Sequence, residues 1–422
     1  MTLFEELSAR GLVEATTAPE IEKLLETPQT VYCGFDPSAA SLQAGNLVSI
    51  MMLRRLQLAG HKVIALVGGA TGLIGDPSGK SAERNMLTVE KVEENKRGIR
   101  ENLSRILDFD GPNAAVMVDN YEWYSGLSAI AFLRDIAVNF RVPQMLAKES
   151  VKKRLEASDG ALTFTEFSYQ ILQGNDFLHL FDKYGCTMEV GGADQWGNIT
   201  AGTDLVHRMR GKTAYGLTFP LLLDATGKKF GKSEGNALFM DASMTSVYDW
   251  YQYFLRAADA DVIRYLKVFS LKSLDEIAAL EEQMKANPEA RIPQKALAEE
   301  ITLLVHGEAG LKTAKGATQT LFGGAIEGKT AEELETIFKD VKSAEIARSE
   351  CVGQPVFMIA AKAGMFKSNG EARRMAQQGG LSLNGNKVDD KRVFADDDLV
   401  GGRVAVLRSG KKNHFLLKVA RS

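Results

Sequence analysis

The residues best suited to chemistry cluster in a few short stretches. In GKKFGKSEGN (227–236), Lys228, Lys229 and Lys232 stand among glycines. Lysines on a glycine-rich loop suit transient stabilisation of a polyphosphate, where charge develops as a bond breaks; a solvated charged loop is the plain alternative. In FTEFSYQILQGNDF (164–177), Tyr169, Gln173 and Asp176 fall at i, i+4 and i+7, one face of a helix. A phenol, an amide and a carboxylate are poor core material because each needs a partner when buried; a solvent-facing polar stripe has the same pattern. GGADQWGN (191–198) offers close backbone approach and then Asp194 and Gln195.

GGATGLIGDPSGKS (68–81) resembles a phosphate loop but is not one. Gly75 and Gly79 leave three residues between them where four are required, and Val67 stands where a dinucleotide-binding motif needs glycine. Asp76 would face any anion there, so the loop suits a cation such as an α-ammonium; an ordinary Asp-Pro turn is the alternative. YCGFDPSAASLQAGNL (32–47) leaves an apolar run, turns at Asp36-Pro37 and enters a helical segment.

The elements that must position these residues follow from periodicity. TVYCGF reads as a strand, NLVSIMMLRRLQLAG as a helix ended by Gly60, and KVIALVGG as a strand buried on both faces. This order predicts a Rossmann-like α/β domain with a parallel sheet, binding ligands in the loops after Phe35 and Gly69. The expected domains are an α/β one with a helical insertion (1–240), an α-helical one (241–330), a linker (331–354) and a small α+β one (355–422). Asn384-Gly385 and Ser409-Gly410 mark hairpin turns in the last.

Composition narrows the class. The 422 residues are 45% hydrophobic and 25% charged, with a net charge of −3, ordinary for a folded protein. Residues 348–422 carry 14 Lys/Arg against 7 Asp/Glu, leaving −10 on residues 1–347. A basic terminal module on an acidic body suits RNA or membrane contact, and a solvated charged surface is the alternative. Three distant cysteines argue against a disulfide framework, and five histidines without ligand spacing argue against a metal site. The N-terminus does not read as a signal peptide and no apolar run spans a membrane, so a cytoplasmic location is expected.

In order and spacing, YCGFDPSAASL, GGATGLIGDPSGKS, FTEFSYQILQGNDF, GGADQWGNITAG and KKFGKSEG resemble those of bacterial tyrosyl-tRNA synthetases, class I enzymes. The resemblance runs nearly end to end and includes a C-terminal module similar to the RNA-binding fold of a small-subunit ribosomal protein. It implies a tyrosine–tRNA ligase that activates L-tyrosine with ATP and transfers it to the 3′ end of tRNA(Tyr). Tyr32 and Asp176 would bond the substrate hydroxyl, which favours tyrosine over tryptophan. Asp76, Tyr169 and Gln173 would hold the ammonium, with Gln195 near the carboxylate. Cys33, Gly34, Asp36, Ser38, Gly45, Gly192, Asp194 and Ser233 would line the ATP site. Lys229 and Lys232 would carry the catalytic charge, assisted by Lys80 and Arg84. Lys367, Arg373, Arg374, Arg408, Lys411 and Lys412 would meet tRNA. Mg²⁺ would arrive with ATP, with no tightly bound cofactor and no protein metal site. Phe164 matches a dimer-interface position, implying a homodimer.

One departure stands out. The family's His-Ile-Gly-His is here Gln43-Ala44-Gly45-Asn46. Asn46 can still donate a hydrogen bond, whereas Gln43 can donate but cannot become cationic. At risk is about 0.5–1.5 kcal/mol for a lost neutral contact or about 1.5–3 kcal/mol for a lost cationic one. An active ligase is the first expectation. An impaired paralogue that only binds RNA or tyrosine, and a ligase acting on something other than tRNA, are the rivals.

Overall fold

The computed structural model describes residues 1–78, 86–156, 162–233, 236–321, 326, 328–338, 341–410 and 413–420, with Lys232, Ser233, Asn236, Thr320 and Leu321 as backbone only. Contacts group the chain into two compact units, residues 1–245 with 252–305, and residues 246–251 with 306–422. The helices after residue 241 are shared between the units. The division falls beside Gly307, whose φ of 67° and ψ of −177° interrupt the helix Ile292–Leu321.

The first unit is built on six strands: β1 (Ala15–Thr16), β2 (Thr30–Phe35), β3 (Lys62–Val67), β4 (Val116–Asp119), β5 (Met188–Gly192) and β6 (Tyr215–Phe219). Their order is β1-β6-β5-β2-β3-β4; β2 to β6 run parallel and β1 pairs antiparallel with β6. The parallel sheet expected from the alternating pattern is present. From Val63 to Val67 every residue of β3 is buried, because helices cover both faces of such a sheet. The chain runs outward from β2 through β3 to β4, and in the other direction from β5 to β6. The switch between these directions lies between β2 and β5, where a crevice opens at the strand ends.

Helix α1 (Leu47–Leu58) makes the first crossover and buries Leu47, Ile50, Met51, Leu53 and Leu56. Gly60, at φ 93°, turns the chain back into β3, as expected for a left-handed terminus. Helix α2 (Val89–Ser104) precedes β4. Helix α3 (Phe164–Tyr184) starts at Thr163, whose hydroxyl accepts from the Glu166 amide, and ends at Gly185, at φ 64°. Its first turn is pinned by a buried ion pair, Arg154 Nη2 to Glu166 Oε2 at 3.1 Å. Helix α4 (Trp196–Arg210) follows β5 and packs on α3.

The second unit holds a five-stranded sheet of β7 (Ser343–Ala347), β8 (Leu381–Leu383), β9 (Asn386–Lys387), β10 (Val404–Ser409) and β11 (Asn413–Ala420), in the order β9-β8-β10-β11-β7. Both hairpin signals are used: Asn384 and Gly385 take φ of 51° and 86° between β8 and β9, and Gly410 takes 63° between β10 and β11. Residues 343–347, within the stretch read as a linker, form an edge strand parallel to β11. Val356, Ile359, Phe394, Leu407 and Leu417 lie in its core.

Candidate active site

Strand β2, the loops at the carboxyl ends of β2, β3 and β5, and helix α3 carry most of the tyrosine- and ATP-site residues expected from the sequence. Asp36 follows β2 and accepts two hydrogen bonds, from Thr71 Oγ1 at 2.6 Å and Tyr169 Oη at 2.7 Å. Gly68 permits this approach, since a Cβ there would lie 2.1 Å from Asp36 Oδ1. Asn120, just after β4, donates Nδ2 to Thr71 Oγ1 and to Asp176 Oδ2, both at 3.0 Å, while its Oδ1 accepts from the Ala70 amide at 2.7 Å. Trp123 Nε1 donates to the other Asp176 oxygen at 2.9 Å, and its ring stacks on His179 with centroids 4.2 Å apart. One polar chain therefore runs Tyr169–Asp36–Thr71–Asn120–Asp176–Trp123.

Beneath this chain, Asp119 Oδ1 accepts from the amides of Gly69 and Tyr121, and Lys96 Nζ lies 2.5 Å from its Oδ2. This ion pair holds the Gly68–Gly69 turn against the end of β4. A Cβ on Gly69 would sit 2.2 Å from Asp119 Oδ1, so only glycine fits.

Burial dominates the electrostatics. Asp176 is 2% exposed, and burial pushes its carboxyl up to about 8 against the hydrogen bonds from Asn120, Trp123 and Tyr124. Burial also raises the Tyr169 phenol, with the Asp36 and Asp76 carboxylates adding to the effect, so it stays a neutral donor. Cys33 is pushed up to about 12 by burial and stays a thiol. Tyr32 is 1% exposed and meets Phe177 edge-on at 5.2 Å.

The tyrosine residues inferred from the resemblance do converge, with partners of their own. Asp76 accepts from the Ser78 amide at 2.9 Å and from Gln195 Nε2 at 2.7 Å. Gln195, expected beside a substrate carboxylate, thus directs one of its two amide N–H groups to Asp76. Asn198 Nδ2 meets Gln195 Oε1 at 3.1 Å. Gln173 donates Nε2 to Glu189 Oε1 at 2.8 Å. The helical stripe of Tyr169, Gln173 and Asp176 therefore faces partners in the sheet and its loops rather than solvent.

The lysine loop is brought to the 43–46 turn by backbone pairing. Ala44 N donates to Leu238 O at 2.8 Å, and Met240 N to Leu42 O at 2.9 Å. A Cβ on Gly231, at φ 83°, would stand 3.0 Å from the Gly45 nitrogen. Phe230 anchors the loop among Tyr253, Phe254, Tyr265 and Phe269, and Tyr253 Oη accepts from the Gly231 amide at 2.8 Å. Asn46 Oδ1 accepts from the Gln43 amide at 2.9 Å, which leaves its Nδ2 as the group able to donate outward. Lys229 is exposed. Burial and Asp76 raise the Asp194 carboxyl, and the positive charge of Lys229 opposes this, so the lysine lies within electrostatic reach. Gly34 and Ser38 are exposed at the end of β2, and Gly192 ends β5.

Lys80 and Arg84 lie outside the described residues, as do Lys411, Lys412 and the side chains of Lys232 and Ser233. In the second unit Lys367, Arg373 and Arg374 are exposed and Arg408 is half-buried on β10. Arg373 Nε pairs with Asp390 at 2.9 Å. Among the described residues, no group of three or more His, Cys, Asp or Glu side chains could hold a metal ion.

The sequence reading missed Thr71, Asn120, Trp123, Glu189 and Asn198. A usable signal existed for two of them: VDNYEW begins where an apolar strand ends, and in a parallel sheet that end faces the ligand crevice.

Comparison with known proteins places the chain as a whole. The family described as tRNA synthetases class I (W and Y) matches residues 24–323, and the tyrosine--tRNA ligase SYY-like C-terminal domain matches residues 333–417. A tyrosine--tRNA ligase of Protochlamydia amoebophila is 45% identical over 416 residues, covering 98% of each chain. One from Streptococcus equi subsp. zooepidemicus is 47% identical over 421 residues, covering 99% of this chain and 100% of its own. A C-terminally truncated mitochondrial tyrosyl-tRNA synthetase of Aspergillus nidulans superposes with a TM-score of 0.68 at 29% identity, covering 76% of this chain and 94% of its own.

Proposed function

Because the chain belongs to the tyrosine–tRNA ligases of class I, we propose that the polar chain from Tyr169 to Trp123 is the tyrosine pocket of this ligase. The single observation that carries this reading is Asp176: a buried carboxylate held by Asn120 and Trp123, with lone pairs left for a phenol hydroxyl. Tyr32, across from it, would supply the second contact to that hydroxyl. Asp76, Tyr169 and Gln173 would meet the ammonium, and Gln195 would hold Asp76 in place at the carboxylate end.

The ligase couples tyrosine to tRNA using ATP. A tyrosine carboxylate oxygen attacks the α-phosphorus, the new C–O–P linkage forms, and the bond to pyrophosphate breaks. The carboxylate is already ionised, so no protein base or nucleophile is required. Positioning and cationic stabilisation of the phosphoryl oxygens supply the catalysis. We assign the charge to Lys229 and Lys232, with Lys80 and Arg84 assisting, and hydrogen-bond donation to Gln43 and Asn46. Cys33, Gly34, Asp36, Ser38, Gly45, Gly192, Asp194 and Ser233 would line the nucleotide. Mg²⁺ would enter bound to ATP, whose phosphates suit it better than a protein cage does. A terminal tRNA hydroxyl then attacks the acyl carbon and releases AMP.

The modules proposed for these tasks are 1–240 for activation, 241–330 and 355–422 for tRNA, and 331–354 as a connection. Lys367, Arg373, Arg374, Arg408, Lys411 and Lys412 would contact phosphates, making tRNA binding salt-dependent. A homodimer accords with the exposed apolar side chains between residues 130 and 164, including Ile130, Leu133, Val138, Val142 and Phe164, the last 73% exposed. A cytoplasmic location accords with this reaction, and among the described residues no helix is long and apolar enough to cross a membrane.

Tyrosine-dependent ATP–pyrophosphate exchange, followed by charging of tRNA(Tyr), tests the reading. Both activities are expected from the purified chain. Exchange that does not depend on tyrosine would overturn the pocket, and exchange without charging would point to another acyl acceptor.

A further inference from the structure

Glu189 is the one charged residue in the apolar run of β5, and it is 2% exposed. It sits at the switch point between β5 and β2, in direct register with Tyr32. Burying a carboxylate is unfavourable unless hydrogen bonds compensate, and this one is only half compensated. Its Oε1 accepts from Gln173 Nε2 at 2.8 Å. Its Oε2 and the neighbouring Tyr32 hydroxyl are each buried without a well-formed hydrogen bond, although the two groups interact closely enough to affect each other's protonation.

The consequence falls on Gln173. In its ionised form, which prevails above about pH 7, the carboxylate only accepts hydrogen bonds, so the Gln173 amide turns its NH₂ towards Glu189, as the 2.8 Å contact has it. Its carbonyl oxygen then points the other way, and only that oxygen can accept from a cation. A glutamine without this partner could rotate and present its NH₂ to the ammonium, which is repulsive.

We propose that Glu189 is a positioning residue for tyrosine, orienting Gln173 so that its carbonyl oxygen meets the substrate ammonium. This inference rests on the assignment of Gln173 to the ammonium site. Glu189 touches no reacting atom, so its effect belongs in tyrosine affinity rather than in the chemical step.

A double-mutant cycle on the full chain tests it, reading KM for tyrosine, KM for ATP and kcat in pyrophosphate exchange. Gln173→Ala and Glu189→Leu are each expected to raise the tyrosine KM roughly tenfold or more, as loss of one hydrogen bond to a charged group does. ATP KM and kcat should move less than about threefold, and the double variant should be no worse than Gln173→Ala alone. Glu189→Gln keeps an acceptor oxygen and should recover the tyrosine KM to within about threefold of the parent. If Glu189→Leu fails to fold, Glu189→Gln decides the matter: a tenfold loss there overturns the proposal. Additive losses in the double variant, or equal losses in kcat and ATP KM, would show a merely structural role and also overturn it. If Gln173→Ala raises KM while Glu189→Leu does not, the Glu189 role alone falls. If Gln173→Ala leaves KM unchanged, the ammonium assignment falls, and this inference with it.

Discussion

Replacing Asp176 with alanine should collapse discrimination between tyrosine and phenylalanine. The carboxylate is buried, and Asn120, Trp123 and Tyr124 take up to three of its roughly four lone-pair positions. A substrate hydroxyl occupies the remaining capacity. Measured at pH 8.5, where the carboxyl raised to about 8 is mostly ionised, truncation costs tyrosine one hydrogen bond to a charged group, about 1.5–3 kcal/mol, which is roughly 10- to 150-fold in kcat/KM. Phenylalanine gains in the same comparison, because it no longer leaves a buried carboxylate facing hydrocarbon. Both effects lower the ratio of the two kcat/KM values in pyrophosphate exchange, so the fall should be at least tenfold. Asp176→Asn is the matched control. Its single carbonyl oxygen can accept from Asn120 or Trp123 but not satisfy both and the substrate, so it should fall between parent and alanine. A ratio unchanged within a factor of two in Asp176→Ala, with the protein still folded, would refute the assignment of this carboxylate to the phenol.

Three further outcomes follow from the same geometry. Burial lifts Asp176 from 3.8 to about 8 and Glu189 from 4.5 to about 7, so the folded chain holds these protons where the unfolded chain has released them. Their stabilising contribution is therefore full below about pH 4 and lost as pH rises towards 8. Thermal melts should show Asp176→Asn gaining on the parent between pH 5 and 8.5; a constant difference in Tm would contradict the buried, protonatable carboxyl. Gly231→Ala puts a side chain at φ 83° and 3.0 Å from the Gly45 nitrogen, a strain of about 1–2 kcal/mol before any clash. It should slow pyrophosphate exchange about tenfold or more while equilibrium tyrosine binding stays unchanged, and a full exchange rate would show that the two loops need not meet. Gln43→His restores a side chain that can carry charge, and single-turnover adenylate formation should speed up by about tenfold; an unaltered or slower rate would mean the site is adapted to glutamine.

Much of the site was legible in the sequence because its information is local. The i, i+4, i+7 stripe of Tyr169, Gln173 and Asp176 depends only on helical pitch, and it does fall on one buried-facing surface of α3. The loops after Phe35 and Gly69 were identifiable because apolar strands end there and a parallel sheet opens its crevice at those ends. What a local pattern does not contain is the partner. Asp76 and Gln195 are 119 residues apart in the chain yet bonded at 2.7 Å, and the Tyr169–Asp36 contact spans 133 residues.

The sequence alone determined the fold class, the hairpins at Asn384-Gly385 and Ser409-Gly410, and the set of residue types available for tyrosine activation. Backbone stereochemistry and hydrophobic period act over a few residues, so one chain segment suffices to read them. Only the tertiary structure decided that Asn120 and Trp123 hold Asp176, that Glu189 is buried against Gln173, and that Gly231 abuts Gly45. Those contacts depend on sheet order, which sets β5 beside β2 and β4 beyond β3. That order is a property of the whole packed core, because each strand's position is fixed by what its neighbours bury.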